Sequence, residues 1–421
     1  MNIWHHFSYL SLKSVMLKIG IWPFIIMTIS SLIFYTILVY LKKTSFSKLK
    51  YLLCIHANKS DTSAVLLGGL PLNIIFTSFL CYYIFFVNDP HPTQLGDHFI
   101  FSYAVISLLA ILFYGYLDDR IEIKPMVKIF SQIVSLTIFS LFSSKWVYFD
   151  HSSLAFLAIF VFGIVLINGV NLIDGIDELS YKMAISTCFH ITLVSFFTGE
   201  IHLAPSLALA LFCSLGGFVL FNRYPSKIHL GEIGTSTLGF CFIFISTIVY
   251  RDFKYKLGDF NSFCFILIPL SYYLCETSVS FLRRVLNKKS PFKGDRLHLH
   301  HILREDYGLT PKQVSWALAG VHFVTTLIGL TLTFFVPSLV ALIIQNILLI
   351  SAMFAIGRNR WFPGYRSMFK AQDLYDLLAK KDVNVISEDL FNTLEITVIK
   401  NPVNAKTSKK ISNNKKPKKV A

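Results

Sequence analysis

The chain has 421 residues, 54% hydrophobic and 15% charged, with a mean hydropathy of +0.59. Soluble domains carry about 25% charged residues, so a chain this apolar cannot cover a water-facing surface, and soluble enzymes, DNA-binding domains and disordered scaffolds are excluded. The formal net charge of +15 would point to nucleic acid on another chain; here its meaning depends on how the charges fall about a bilayer.

Uncharged runs of about 17–25 residues read as transmembrane helices, because a hydrocarbon core of about 30 Å needs some 20 residues. Eleven are expected, at 19–41, 62–87, 98–117, 129–144, 152–173, 183–199, 201–222, 233–250, 261–282, 314–335 and 337–357. The fourth and sixth are short. The last two share one uncharged run, from Gln313 to Gly357, broken at Val336–Pro337–Ser338, since proline removes a donor and favours a turn. The first reads as a permanent helix, for Lys42–Lys43 follow it where a cleavage site would stand. The alternative count, ten, would move the C-terminus to the other side. With eleven, 33 of the 39 lysines and arginines fall on one side and 6 on the other. Positive-inside bias then places the N-terminus outside and the tail in the cytosol.

The seven cysteines form no CxxC and mostly lie within spans, as small buried apolar residues do. No internal repeat is visible. The chain divides into a membrane domain at 1–357, a small cytosolic element at 358–399 and a tail at 400–421. The tail carries eight lysines and no acid, a composition that stays disordered and is drawn to anionic membrane lipids; it reads equally as a solubilising extension.

Four polar clusters interrupt the apolar background, and all map to the cytosolic side. The first holds Asp118, Asp119 and Arg120, with Lys128 nine residues beyond and Gln132 after it. Adjacent carboxylates favour a bound cation or a raised pKa, and the lysine suits a phosphate; the plain alternative is a solvated turn. The second runs from Asn168 through Asn171, Asp174 and Asp177 to Glu178. Its three-residue spacing puts these side chains on one side of a helix, and they are the hard oxygen donors Mg²⁺ takes. Unpaired polar groups at the membrane edge cost free energy, and a helix-ending turn at Asp174–Gly175 leaves both asparagines unexplained. The third, Asn222 to Ser236, sets Gly231 and Gly234 about Glu232 at a helix start, where a backbone can approach an anion. It lacks the GKS/T ending of a P-loop. The fourth carries Arg283, Arg284, Asp295, Arg296, His298, His300 and His301. Without a second liganding cluster or a cysteine nearby, these histidines suit an anionic diphosphate better than zinc. Glu276, inside the ninth span, should pair, stay protonated or face a cleft. His190, His202 and His322 are isolated on apolar helices and read as structural.

LDDR at 117–120, NGVNLIDGID at 168–177, FNRYPSKIHLGEIGTSTLGF at 221–240 and SPFKGDRLHLHHIL at 290–303, in this order, resemble the blocks of the polyprenyl-phosphate N-acetylhexosamine-1-phosphate transferases. That family includes enzymes that start O-antigen, enterobacterial common antigen and teichoic acid synthesis, and the peptidoglycan translocase. The HLHH form is closer to the O-antigen branch. The resemblance implies an all-α polytopic membrane protein of about eleven transmembrane helices with a cytosolic-face active site, in the bacterial inner membrane. It implies transfer of an N-acetylhexosamine-1-phosphate, GlcNAc-1-phosphate by default, from a UDP-sugar to undecaprenyl phosphate, releasing UMP. Mg²⁺ is implied, with Mn²⁺ an alternative. The implied partners are the polyprenyl phosphate, the UDP-sugar and membrane lipids, with no nucleic acid and a homodimer possible in the family. Asp118 and Asp119 match the catalytic pair, and Asn171, Glu232 and Asp174 the metal shell. Lys128, Asn168, Asp177, Asn222, Asp295, Arg296, His298, His300 and His301 match substrate contacts. The sequence departs from the pattern at Glu232, where the family has aspartate, at Glu178, where it has glycine, at Glu276 for aspartate, and at His56–Ala57–Asn58–Lys59, where arginine is missing. A transporter-like carrier, or a weakened homologue acting as an assembly scaffold, is the competing reading. The carrier predicts ionisable residues at mid-membrane.

Overall fold

The structure is a computed structural model, and it describes residues 20–42, 64–86, 94–121, 123–147, 152–196, 203–291 and 294–361. The stretch His56–Lys59, His202 and the expected tail segments beyond Trp361 lie outside the described residues. Among the described residues, thirteen α-helices follow one another: α1 Trp22–Lys42, α2 Gly69–Phe86, α3 Gln94–Ile121, α4 Pro125–Val147, α5 Ser152–Ile173, α6 Leu179–Phe196, α7 Ala204–Phe221, α8 Gly231–Leu257, α9 Asp259–Leu267, α10 Ser271–Leu286, α11 Leu299–Glu305, α12 Pro311–Leu332 and α13 Ser338–Trp361. The protein is a polytopic all-α membrane protein. Among the described residues, ten segments are long and apolar enough to cross a bilayer. They match ten of the eleven expected spans, with α9 and α10 forming one crossing, Asp259–Leu286. The remaining one, the short sixth, is the 18-residue helix α6. Lys182, Thr187 and His190 lower its apolar character, and it stands between α7 and α12.

Helix α8 is the axis of the bundle. Its membrane segment is buried throughout, which suits a helix apolar on every side. It is surrounded by α2, α3, α5 and α7. Phe139 of α4 meets Phe240 and Phe244 edge-on, and Phe101 of α3 meets Phe244. Polar stitches fix the register of these helices. The Asn73 amide donates to the Leu108 carbonyl at 3.1 Å and to Thr237 at 2.8 Å, joining α2, α3 and α8. Ser31 does the same between α1 and α7. In lipid, close backbone approach and buried hydrogen bonds do the work that apolar burial does in water.

The ninth span is interrupted by a 3₁₀ turn, Ile268–Leu270, at Pro269. Gln345 on α13 donates to the carbonyl of Ile268 there, which also accepts from the Ser271 N–H. The break between α12 and α13 falls at the expected Val336–Pro337–Ser338. The isolated histidines read as structural are so placed: His190 and His322 are fully buried. His322 meets the Thr187 hydroxyl, which also meets Tyr273.

Ahead of α2, residues 65–69 run alongside residues 227–230. Val65 and Ile228 form a parallel bridge, and Gly68 and Gly69 donate to His229 and Leu230. This pairing fixes the start of α8, where the candidate site lies.

Candidate active site

The end of α3, the start of α4, the end of α5 and the start of α8 converge at one end of the bundle. Glu232, 5% exposed, is the hub. Its Oε2 accepts from Lys128 Nζ at 2.7 Å and from the Asn171 amide, and its Oε1 accepts from Ser236 at 3.1 Å. Lys128 also lies 3.0 Å from Asp118 Oδ2, so one ammonium bridges two acids from different helices. Gln132, one turn along α4, accepts from Asn168 at 2.9 Å. Asn168 is thus an α4–α5 tether one turn below Asn171.

The adjacent acids divide their tasks. Asp119 accepts from the backbone N–H groups of Glu232 at 2.7 Å and Ile233 at 3.3 Å. It caps the N-terminus of α8, where unpaired N–H groups and the helix dipole favour a carboxylate. Asp118 accepts from Ile123 N–H with Oδ1 and keeps Oδ2 for Lys128. Asp118 is therefore the acid of the pair that holds a lysine as well as a backbone N–H, whereas Asp119 holds the start of α8.

The α5–α6 turn carries Asp174 and Asp177. Burial pushes the Asp174 carboxyl up to about 7, with Asp177 and Glu232 adding to the rise and the Ser180 hydroxyl opposing it. Asp177 accepts from Ser226 N–H at 3.0 Å and lies 3.8 Å from His229. Asn222, 2% exposed, accepts from Glu178 N–H at 3.0 Å and donates to the Ile228 carbonyl at 2.8 Å. Asp177 and Asn222, expected at the substrate, instead bind the 174–178 turn to the 222–229 loop. Glu178 stands where the resemblance expects glycine, and its φ is +72°, the left-handed region glycine favours. Its carboxylate bonds Lys182 at 2.6 Å and Tyr224 N–H at 2.9 Å. Burial opposes its ionisation, but those two bonds outweigh it and hold the group below the usual carboxylate range.

The fourth cluster folds on α10. Asp295 accepts from Arg283 at 2.7 Å and Arg284 at 3.2 Å. Burial opposes its charge, but the two guanidiniums prevail and hold its carboxyl well below the usual range. His298 Nδ1 meets Glu276 Oε1 at 2.9 Å, so the membrane acid is paired. His300, 3% exposed, packs on Gly175 so closely that a Cβ there would lie 2.1 Å from its Nε2. That nitrogen is buried without a hydrogen-bond partner. Burial and the neighbouring His301 and His298 keep His300 neutral. His301 stands beside it, ring centroids 4.2 Å apart. Arg296 points elsewhere: its side chain is 77% exposed and pairs with Glu305 at 3.3 Å.

The structure thus joins Asp118, Asp119, Lys128, Asn171, Glu232 and Asp174 in one group, with His300 reaching it over Gly175. It leaves Arg296 on the surface. Sequence reasoning missed Tyr114, buried near Glu232 and Asp118, and named Ser236 as the end of the third cluster without giving it a role. Tyr114 lies one turn before Asp118, a spacing that flags it.

The donors fit a hard divalent cation by type, and an ammonium already bridges two of them. Among the described residues, however, no three acids, histidines or cysteines converge on a ready metal position. A divalent ion has to displace Lys128 from Asp118 and Glu232. Because Asp174 ionises near 7, we expect Mn²⁺ affinity to rise with pH up to about 7, by at most about tenfold per unit, and then level off. Electron paramagnetic resonance of free Mn²⁺ at several pH values measures this, and Asp174→Asn should flatten the slope.

An acid–lysine–amide cluster at the ends of membrane helices offers charges and hydrogen bonds of the kind that anions take. Residues 101–250 match the family described as glycosyl transferase family 4. It is 26% identical over 241 residues to a probable undecaprenyl-phosphate N-acetylglucosaminyl 1-phosphate transferase of Bacillus subtilis, covering 54% of this chain and 64% of that protein. It is 27% identical to a phospho-N-acetylmuramoyl-pentapeptide-transferase of Staphylococcus saprophyticus, over 65% of this chain and 86% of that one. It is 28% identical to an undecaprenyl-phosphate alpha-N-acetylglucosaminyl 1-phosphate transferase of Haemophilus influenzae, over 63% and 74%. The chain spans less than two thirds of the length of the Bacillus protein. The family match includes the Glu232 hub and stops short of the histidine segment.

Proposed function

We propose that this protein transfers an N-acetylhexosamine-1-phosphate, GlcNAc-1-phosphate foremost, from a UDP-sugar to undecaprenyl phosphate, releasing UMP. The product would initiate a cell-envelope polysaccharide such as O-antigen. The observation that carries the reading is Lys128 held between Asp118 and Glu232 beside Asn171. Such an array neutralises and aligns phosphates at the membrane edge, and phosphoryl transfer needs alignment and charge stabilisation above all. The relatives' names support the same chemistry.

In this reading Asp118 takes the proton of the lipid phosphate. The freed oxygen of the lipid phosphate then attacks the β-phosphorus of the donor, and the bond from that phosphorus to the UMP oxygen breaks. Asp119 acts indirectly, by holding the start of α8 and hence Glu232. Lys128 leaves the acids for the donor diphosphate when substrate arrives. Mg²⁺, held by Glu232, Asn171 and Asp174, would supply charge neutralisation of that diphosphate. His300 and His301 line the donor side. The distribution of basic residues, 33 against 6, supports a cytosolic site, an outside N-terminus and an inside tail in the bacterial inner membrane. A soluble UDP-sugar and a membrane-anchored acceptor meet at that edge.

The test is a panel of UDP-GlcNAc, UDP-GalNAc and related donors, given to membranes carrying the protein with undecaprenyl phosphate and Mg²⁺. Lipid-linked sugar and UMP in equal amounts are expected from at least one donor. No UMP from any donor overturns the reading in favour of a carrier or scaffold.

A further inference from the structure

We propose that Arg360 and Trp361, at the end of α13, are positioning residues that latch the histidine-bearing segment 295–306 against the site. The segment joins α10 to α12 and carries Asp295, His298, His300 and His301. Its inner side is held by Arg283 and Arg284 through Asp295. Its outer side is held by α13 at two points that bracket the histidines. Before them, the Trp361 indole N–H donates to the Leu297 carbonyl at 2.8 Å. After them, Arg360 Nε donates to both carboxylate oxygens of Asp306 at 2.9 Å, and its guanidinium reaches Glu305 at 3.1 Å.

The seat for the indole is built into α13. Trp361 is 5% exposed. A Cβ on Gly357, one turn back, would lie 2.4 Å from the ring, so glycine there lets the indole fold down beside the helix. The Arg283 guanidinium sits 6.0 Å from the ring centroid, within cation–π range. The same arginine grips Asp295, so Trp361 backs the inner anchor as well as making the outer one. His300, whose Nε2 faces the Asp174 turn, depends on this segment for its place.

The kinetic consequence rests on the transferase reading; the structural one does not. Trp361→Phe removes the N–H donor and keeps an aromatic ring, and Arg360→Ala removes the second anchor. Both are made in the full chain in detergent. Hydrogen exchange in residues 295–306 is expected to speed about tenfold, while α8 keeps its protection. KM for the UDP-sugar is expected to rise about fivefold with kcat within about twofold, because a displaced binding segment weakens ground state and transition state alike. Arg360→Lys should restore part of the protection. Unchanged exchange in residues 295–306 overturns the latch. Equal loss of protection in every helix also overturns it, for that is general destabilisation. If the unaltered protein makes no product, the exchange result alone decides the latch, and the failure falls on the transferase reading.

Discussion

Glu232→Ala is expected to lower transfer at least about 100-fold, the scale on which removing one preorganised electrostatic group acts in an active site. Glu232 is the common acceptor of Lys128, Asn171 and Ser236. Alanine leaves three donors facing one another in a buried place, and the Lys128 ammonium keeps only Asp118. Breaking a buried ion pair from one side costs about 3–5 kcal/mol; Lys128 is about a quarter exposed, so water offsets part of that here. Glu232→Asp tests the same point from the other direction. It restores the residue the family resemblance leads one to expect and shortens the reach by one C–C bond, about 1.5 Å. We expect it to keep activity within about tenfold. UMP release per unit of folded protein, with the melting temperature measured alongside, separates lost chemistry from lost fold. If Glu232→Ala keeps most of its activity, the hub is structural and the proposed site is wrong.

Gly231→Ala is the second large effect. Gly231 has φ +70°, and a Cβ there would lie 2.2 Å from the Leu66 carbonyl and 2.7 Å from Asp119 Oδ2. The left-handed backbone costs a non-glycine residue roughly 1–2 kcal/mol. The clash then forces apart the 65–69 pairing and the Asp119 cap. Both activity and thermal stability should fall, the melting temperature by several degrees. Gly69→Ala should behave alike, since its Cβ would lie 1.9 Å from Gly234 N where α2 crosses α8. Gly320→Ala is the control: its Cβ meets nothing within 4 Å, so it should be neutral or slightly stabilising. Indistinguishable melting of all three would refute the close-approach argument.

The pairing of Glu276 with His298 bears on the competing readings. A carrier needs ionisable groups exposed to a path at mid-membrane. Glu276 is instead 4% exposed and bonded to the histidine segment. The polar groups of α6, α10 and α12 are buried against one another around His322.

What could be read from the sequence was whatever is local. Hydropathy is a sum over a window, so the spans, the break at Pro337 and the polar clusters at their ends are visible in any stretch of about 20 residues. Among the described helices expected to span, α6 is the one that hydropathy renders poorly, because polar groups on it face partners inside the bundle. The polar clusters from which the structure draws its group at the start of α8 were also legible. Which atoms meet was not. Asp118 and Asp119 are neighbours of the same type, and only the approach of Glu232, 113 residues after Asp119, makes one a helix cap and leaves the other its lysine. Asn222 and Asp177 look like substrate contacts by type and turn out to fasten two loops. Arg296 sits among the histidines in sequence, yet points to Glu305 and solvent. Trp361 and Arg360 gave no signal, because their partners lie 64 and 54 residues away. The sequence by itself determined that this is a multi-span membrane protein with a polar site at the helix ends, since partition into lipid depends on composition. The tertiary structure alone decided how the charges pair, because a hydrogen bond is set by positions that only the packed helices supply.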